Sequence, residues 1–296
     1  MSVDCPPTIR TNVSLAGLTS MKVGGAAEYF ISPRSSTELV ESLAWASDRL
    51  SPTITIGAGS NLLISDQGLA GLVICTRHLR GIEFDETSGR VTASAGEPVA
   101  RLAMQIASHG WTGFEWAIGI PGTVGGLVVM NAGAQGGSAA DCLVSVQTVT
   151  LTGETQVLSP QDLDFSYRTS ALQGSQLLVT EATFQFQTGG DPIAIASDTE
   201  AKLKARHSTQ PYHLPNCGSV FRNPLPQFAA KLIQDSGLKG YQIGNAQVSE
   251  LHGNFIVNLG NAKAQDICSL IEHIQTVISD RYGVVLETEV KLIGNF

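Results

Sequence analysis

The sequence predicts an α/β (α+β) protein of more than one domain. Three observations carry that expectation. Short β-type runs alternate with stretches whose apolar residues recur at the helical period, which implies helices layered on sheets. Glycine clusters stand at the ends of several strand runs. Gly189-Gly190-Asp191-Pro192 interrupts the pattern as a linker would. The expected division is residues 1–190, in two subdomains of about 1–75 and 76–190, followed by residues 191–296. A chain of 296 residues can bury a separate core in each.

Gly24-Gly25-Ala26-Ala27 reads as a glycine turn entering the strand run Glu28-Tyr29-Phe30-Ile31 before Ser32-Pro33. A helix should follow, capped by Ser35 or Ser36, with Leu39, Leu43 and Ala46 on one face and a break at Ser51-Pro52. Thr53–Ile56 is strand-like, and Gly57-Ala58-Gly59-Ser60-Asn61-Leu62 after it is a small-residue loop that bares backbone amides. Such amides can converge on phosphate oxygens. The spacing is G-x-G-x-x-L, and no helix opens directly from it, which counts against a nicotinamide-binding Rossmann turn. Strands at Gly71–Cys75 and Arg90–Ala95 precede a helix from Pro98 to about Ser108.

From Glu115 through Gly119-Ile120-Pro121-Gly122-Thr123-Val124-Gly125-Gly126 to Met130-Asn131-Ala132-Gly133-Ala134 the chain is nearly bare of large side chains. Glycine on this scale costs roughly 0.5–1 kcal/mol per position in regular structure, so it needs a reason. Two readings fit: close packing of a helix, or a backbone wall against the pyrophosphate and flat ring of a dinucleotide, with Ile120 and Val124 as apolar contacts. Leu143–Leu151 and Thr155–Leu158 form a hairpin about Thr152-Gly153-Glu154. Tyr167-Arg168 then sets an aromatic hydroxyl beside a guanidinium, ahead of a strand from Gln176 to Gln187.

In the last third, a helix from Ile193 to about Arg206 ends in Lys202, Lys204, Arg206 and His207, the densest cationic cluster of the chain. It can complement the helix end or attract an anion. Pro215-Asn216-Cys217-Gly218-Ser219-Val220-Phe221-Arg222-Asn223-Pro224 places one small hydroxyl on a glycine-flanked turn beside a cation. Pro226 should start a helix with Phe228, Leu232 and Ile233 inward and Gly237 at its end. Gly240–Ser249 is a polar loop or short strand, and Asn254–Asn258 is a strand. Ala264, Ile267, Ile271, Ile274 and Ile278 form the stripe of an amphipathic helix packed on it. A closing strand, Val284–Ile293, should carry Glu287, Glu289 and Lys291 on one face and Leu286, Thr288, Val290 and Leu292 on the other.

Composition narrows the functions. With 43% hydrophobic and 15% charged residues the chain is globular, and its net charge of −8 argues against a nucleic-acid partner. Met1–Pro7 lacks a basic region followed by an apolar run, and the weakly polar run Ala117–Met130 is too short to span a bilayer. A soluble, cytoplasmic protein is expected, without membrane insertion. Cys5, Cys75, Cys142, Cys217 and Cys268 are scattered, with no CxxC, and the six histidines show no HExxH spacing. Neither disulfides nor a metal are expected.

Taken together, the blocks Val23–Ala27, Gly57–Leu63, Gly119–Gly126 with Met130–Ala134, Tyr167–Ser170, Asn216–Phe221, Gly237–Gly240 with Ala246–Ser249, Asn254–Asn258 and Glu287–Val290 resemble the UDP-N-acetylenolpyruvoylglucosamine reductase family over nearly the whole chain. The resemblance implies a two-subdomain FAD-binding fold of the PCMH/vanillyl-alcohol-oxidase type, plus a C-terminal α+β substrate domain. It implies FAD and NADPH as cofactors and UDP-N-acetylglucosamine enolpyruvate as substrate, and the chain looks like the family's shorter type; a monomer is expected. Gly57, Ala58, Gly59, Ser60, Asn61, Leu62, Ile120, Pro121, Gly122, Thr123, Gly125 and Gly126 match its flavin-binding positions. Arg168, Ser219 and Glu289 match its catalytic residues, with Arg168 and Glu289 stabilising the enolate and Ser219 as proton donor; Tyr167, Asn223 and Gln247 are expected to touch substrate. Two positions depart from the family's pattern: Ser20-Met21, where threonines are commoner, and Gln135, where an aromatic is frequent. An oxidase of the same FAD-binding fold and a non-catalytic nucleotide-binding protein are the rival readings. A serine hydrolase is disfavoured because Ser219 lacks a G-x-S-x-G elbow.

Overall fold

A computed structural model describes residues 8–49 and 51–296. The readings of Met1–Pro7 and Cys5 lie outside the described residues. In chain order, β1 (Arg10–Ser14) and β2 (Ala26–Ile31) precede α1 (Ser36–Ser47). β3 (Thr53–Ile56), β4 (Leu62–Ile64), β5 (Leu69–Cys75), β6 (Ile82–Asp85) and β7 (Arg90–Ser94) lead to α2 (Val99–Ser108) and α3 (Val124–Val129). Then come β8 (Gly133–Ala134), β9 (Gly137–Ser138), β10 (Leu143–Val149), β11 (Thr155–Leu158), β12 (Leu178–Gln185) and α4 (Pro192–Thr209). α5 (Ala229–Asp235), β13 (Gln242–Ile243), β14 (Ala246–Val248), β15 (Ile256–Asn258), α6 (Ala264–Tyr282) and β16 (Lys291–Ile293) complete the chain.

Tertiary contacts group these elements into two compact units that do not follow chain order. Among the described residues, the first holds 8–11 with 29–58 and Gly71–Ala205; the second holds Asn12–Glu28, Gly59–Ala70 and Arg206–Phe296. One chain division falls inside the small-residue loop, between Ala58 and Gly59.

The first unit has two cores. In one, the sheet of order β11-β10-β12-β7-β6 contributes Val91, Ala93, Val146, Ala182 and Phe184, alternate residues of antiparallel strands. Leu102 and Ile106 of α2 and Leu127 and Val128 of α3 close over them. The other core gathers Leu39, Leu43 and Ala46 of α1 with Ile31, Leu72 and Ile74. Ser35 settles the choice of cap: its Oγ accepts from the Glu38 N–H at 3.2 Å, while Glu38 Oε2 accepts from the Arg34 N–H at 2.8 Å. β3 lies parallel to β5, Thr53–Ile56 against Leu72–Cys75, in a sheet of order β1-β2-β5-β3.

In the second unit, α6 lies on the antiparallel sheet β13-β14-β15 and buries the predicted stripe Ala264, Ile267, Ile271, Ile274 and Ile278. Met21, Val23 and Leu63, from far earlier in the chain, share that core. Buried Asn258 ties the pieces: its Nδ2 donates to the Met21 carbonyl at 2.9 Å, and its Oδ1 accepts from the N–H groups of Gly260 at 2.8 Å and Ala262 at 3.1 Å. β16 pairs in parallel with β4, Lys291 opposite Leu62 and Ile293 opposite Ile64.

Two local expectations are corrected. The closing strand is not continuous over Val284–Ile293: an isolated bridge joins Thr288 to Phe221, β16 covers only Lys291–Ile293, and Leu292 is 39% exposed. The two-stranded β4–β16 sheet leaves that face of Leu292 uncovered. Phe228 does not point inward; it stands at the N-cap of α5, 59% exposed, because the helix begins at Ala229, whose N–H donates to Asn223 Oδ1 at 3.1 Å. Within the glycine-rich stretch, residues 124–129 form the short helix α3, in keeping with the helix-packing reading.

Replacing Ile271, 2% exposed in the α6 stripe, by Ala should lower the unfolding free energy by about 2–5 kcal/mol. Chemical denaturation measures this, and a shift of less than roughly half a kcal/mol would show that α6 does not anchor this core.

Candidate functional site

The first unit sets two of the sequence-predicted blocks side by side. A Cβ on Gly57 would lie 2.5 Å from Thr123 Oγ1, so only glycine lets the loop after β3 approach the 120–126 segment this closely. Thr123 occupies the N-cap of α3 with extended backbone, yet its hydroxyl makes no cap bond. That hydroxyl is buried and has no hydrogen-bond partner among the described residues. Leaving such a group unsatisfied costs about 1–3 kcal/mol, so this is a position where a polar ligand atom fits. Gly125 has a packing reason instead: its N–H donates to the Ala95 carbonyl at 2.9 Å, and a Cβ would meet the Ala95 Cβ at 3.1 Å. Pro121 and Gly126 are exposed, and Ile120 and Gly122 half-buried. Close packing therefore accounts for Gly125, whereas Gly126 lies on an open surface.

The carbonyls of the loop face inward. Arg77 Nε donates to the Gly57 carbonyl at 3.2 Å and Nη2 donates to that of Ala58. Sequence reasoning passed over Arg77, since nothing local to Thr76-Arg77-His78 signals a contact with residues 57 and 58.

Arg168 lies in a tight turn, with Ser166 and Thr169 exchanging backbone bonds of 3.1 Å. Its φ is +57°, a left-handed conformation that costs a non-glycine residue about 1–2 kcal/mol. Three side chains brace the turn: Gln173 Nε2 donates to the Arg168 carbonyl at 2.9 Å, Ser170 Oγ to that of Val129 at 2.7 Å, and Asn131 Nδ2 to that of Ser166 at 2.9 Å. The guanidinium donates from Nη2 to the Gly133 carbonyl at 2.6 Å and lies 5.3 Å from the Tyr167 ring centroid. Thus the Tyr167–Arg168 and Met130–Ala134 blocks meet, and a planar cation is held at a fixed place.

In the second unit, Asn216 Oδ1 accepts from the Gly218 N–H at 2.9 Å, and Gly218 takes φ +78°, so the predicted turn carries Ser219. Buried Asn254 clamps the residues that follow. Its carbonyl accepts from the Val220 N–H at 2.9 Å, its Oδ1 accepts from the Phe221 N–H at 2.9 Å, and its Nδ2 donates to the Phe221 carbonyl at 2.8 Å. The same segment pairs with the chain around Glu289: the Glu289 N–H donates to the Val220 carbonyl at 2.8 Å and the Arg222 N–H to that of Glu287 at 2.9 Å. Ser219 therefore adjoins the residue paired with Glu289. Asn61 joins them, with Nδ2 donating to the Glu289 carbonyl at 3.0 Å and its own carbonyl accepting from the Lys291 N–H at 3.0 Å.

Charge is concentrated here. Burial, with the Arg222 charge adding to it, lowers the Lys291 ammonium from its usual value, and Glu289 opposes the shift. Burial pushes the Cys217 thiol up to about 12; a backbone hydrogen bond opposes this and the Glu289 charge adds to it. Asn223 has a structural task at the start of α5, and half-buried Gln247 donates from Nε2 to the Gly240 carbonyl at 3.2 Å. Of the cationic cluster, Lys202 pairs with Asp198, Lys204 is exposed, and Arg206 Nε donates to the Tyr212 hydroxyl at 2.5 Å, against which the His207 ring leans at 4.5 Å. Among the described residues no group of three His, Cys, Asp or Glu could hold a metal, and no helix is long and apolar enough to cross a membrane. Cys75, Cys142, Cys217 and Cys268 are buried free thiols.

Comparison with known proteins gives a consistent picture. The family model described as UDP-N-acetylenolpyruvoylglucosamine reductase, C-terminal domain, matches residues 210–293, and one described as FAD binding domain matches residues 27–159. The UDP-N-acetylenolpyruvoylglucosamine reductase of Nostoc sp. (strain PCC 7120) is 54% identical over 288 residues, covering 97% of this chain and 87% of that protein. The protein of the same name from Synechococcus elongatus is 53% identical over 289 residues, covering 98% and 96%. The crystal structure of UDP-N-acetylenolpyruvylglucosamine reductase from Thermus caldophilus superposes with a TM-score of 0.81 at 32% identity, covering 96% of this chain and 99% of that one.

Two outcomes test this geometry. With its pKa near 12, Cys217 should resist alkylation at about pH 8 in the native protein and react once unfolded, as peptide mass spectrometry reads; rapid native labelling would contradict its burial. His252, whose Nδ1 accepts from the Asn254 N–H at 3.2 Å, is held below 6.5 chiefly by burial, with the Lys239 and Arg206 charges adding to it and a backbone hydrogen bond opposing. The unfolded chain therefore takes up a proton first as pH falls, so this contribution to stability is full above about pH 6.5 and declines below it. Denaturation at a series of pH values should show that decline in the wild type and a weaker one in His252→Asn.

Proposed function

Because this chain belongs to the UDP-N-acetylenolpyruvoylglucosamine reductase family, we propose that it reduces UDP-N-acetylglucosamine enolpyruvate to UDP-N-acetylmuramate at the expense of NADPH, in peptidoglycan precursor synthesis. It is an oxidoreductase with an FAD-binding domain, built on the two-subdomain FAD-binding α/β fold with a C-terminal α+β domain. We take residues 1–190 as the FAD-binding domain and 191–296 as the substrate domain, a division compatible with the family matches at 27–159 and 210–293. We place it in the cytoplasm as a monomer.

The residues present fit FAD. The Thr123 hydroxyl is buried without a partner among the described residues, and Gly57 beside it has no room for a side chain. Gly57, Ala58, Gly59, Ser60, Asn61 and Leu62, with Ile120, Pro121, Gly122, Thr123, Gly125 and Gly126, are the residues we assign to hold it. When bound and reduced by NADPH, FAD supplies the hydride for C3 of the enolpyruvyl group.

The side chains of this protein handle the charge and the proton. As negative charge develops at C2 and the adjoining carboxylate, the Arg168 guanidinium offers a planar fork of donors to the carboxylate oxygens. Its braced left-handed turn holds the fork before substrate arrives, which lowers the reorganisation needed. Glu289, in its protonated form, donates a hydrogen bond to the same developing charge. Ser219 delivers the proton from Oγ to C2, and solvent restores it. An alcohol is a weak acid, so it acts only toward a centre as basic as this one. Tyr167, Asn223 and Gln247 are assigned to substrate contacts, and the Lys202–His207 segment to attracting its diphosphate.

The observation that carries the reading is the backbone pairing that sets Ser219 beside the partner of Glu289. The protein should purify yellow, NADPH should bleach it without air, and the enolpyruvyl substrate should restore the colour. Ser219→Ala should leave bleaching by NADPH nearly intact and slow recolouring by about 10²–10⁴-fold. Equal losses in both half-reactions would remove Ser219 from the proton-donor role, and bleaching by a hydroxy acid instead would favour an oxidase.

A further inference from the structure

Arg77 takes no part in the chemistry above, yet its geometry bears on the cofactor loop. It sits in a short 3₁₀ turn, Thr76–His78, directly after β5. β5 lies parallel to β3 with Cys75 opposite Ile56, so the guanidinium leaves the end of one strand where the loop leaves the end of its neighbour. Nε takes the Gly57 carbonyl at 3.2 Å and Nη2 the Ala58 carbonyl, two consecutive acceptors for one fork.

Peptide planarity then dictates the rest. In a trans peptide the carbonyl and the following N–H point in opposite directions. With the carbonyls of Gly57 and Ala58 drawn to the guanidinium, the amides of Ala58 and Gly59 are turned away from it. Two successive amides presented together make an anion-binding concavity, and a cation on the carbonyl side adds to its positive potential. Gly57 and Ala58 have little side chain with which to hold such a conformation, and glycine loses more freedom on ordering than any other residue. The restraint has to come from outside the loop, and Arg77 supplies it. Thr123, whose hydroxyl lies against Gly57 without a partner among the described residues, independently marks this place as one prepared for a polar ligand.

We infer that Arg77 is a positioning residue, which fixes the Gly57-Ala58 backbone so that the amides of Ala58 and Gly59 face the diphosphate of the cofactor. The inference rests on the proposed use of this loop by FAD. Lysine could not replace arginine fully, because a single ammonium lacks the fork that spans two neighbouring carbonyls.

The test follows FAD release from the purified holoprotein by the rise in flavin fluorescence after dilution, in the wild type, Arg77→Met and Arg77→Lys. Thermal midpoints of flavin-free samples are measured alongside. Arg77→Met keeps an apolar stem but no donor; it should release FAD at least roughly tenfold faster, with a flavin-free midpoint within a few degrees of the wild type. Arg77→Lys should fall between the two. Equal release from Arg77→Met and the wild type overturns the inference. So does faster release accompanied by a collapsed flavin-free midpoint in both variants, since Arg77 would then be merely structural. If only Arg77→Met fails to fold, the lysine variant decides: release equal to the wild type overturns the inference, and faster release supports it. A wild type that takes up no FAD overturns the functional reading as well, and needs no variant to reveal it.

Discussion

The second unit depends on one parallel pairing, that of Leu62, Leu63 and Ile64 with Lys291, Leu292 and Ile293. Three residue pairs in a two-stranded sheet are marginal by themselves. Bonds at each end lengthen the tie: Asn61 exchanges bonds with Glu289 and Lys291, and the Ser65 N–H donates to the Ile293 carbonyl at 2.9 Å while its Oγ donates to that of Asn295. Leu63 and Val290 carry the tie into the core beneath α6. The position of Glu289 is thus determined by residues more than two hundred places earlier, and so is the segment carrying Ser219 that pairs with it.

Elements whose cause is local were legible in the sequence. α1, α2 and α6 need only a helical period and an end signal, and the hairpin of β10 and β11 needs only a turn between two β-rich runs. α3 was hidden because Gly125 and Gly126 each lower helix propensity by about 1 kcal/mol. It forms because the Val124 N–H finds the Glu97 carbonyl and Leu127 and Val128 are buried, neither of which is a property of residues 124–129 alone. The pairing of β4 with β16 is a contact of distant segments and leaves no periodic mark on either. Phe228 shows the converse error: its spacing from Leu232 suits an inward face, but the bond from Ala229 to Asn223 starts the helix one residue too late to include it.

The candidate site was legible in the same uneven way. The turn before Ser219 shows in the sequence because Gly218 announces a positive φ and Asn216 a side-chain turn. The left-handed turn at Arg168 does not, because arginine carries no such signal; Gln173, Ser170 and Asn131 impose it from outside. Asn254 and Arg77 were silent for the same reason, as each acts on the main chain of a remote segment. Residues that would touch ligand stand out by type, whereas those that aim them are recognisable only once the chain is folded.

The distance in sequence spanned by β4 and β16 also orders events during translation. Asn12–Glu28 and Gly59–Ala70 emerge from the ribosome long before Arg206–Phe296, the rest of their unit, exists. Through that interval Met21 and Leu63, fully buried at the end, have no native partner beneath α6, and the nascent chain must keep these apolar residues from associating elsewhere. The first unit ends at Ala205 and can form meanwhile, but the strand after the loop, β4, has its partner only when Lys291–Ile293 has been synthesised. Until then the half of the loop that leads into β4 has no strand to pair with.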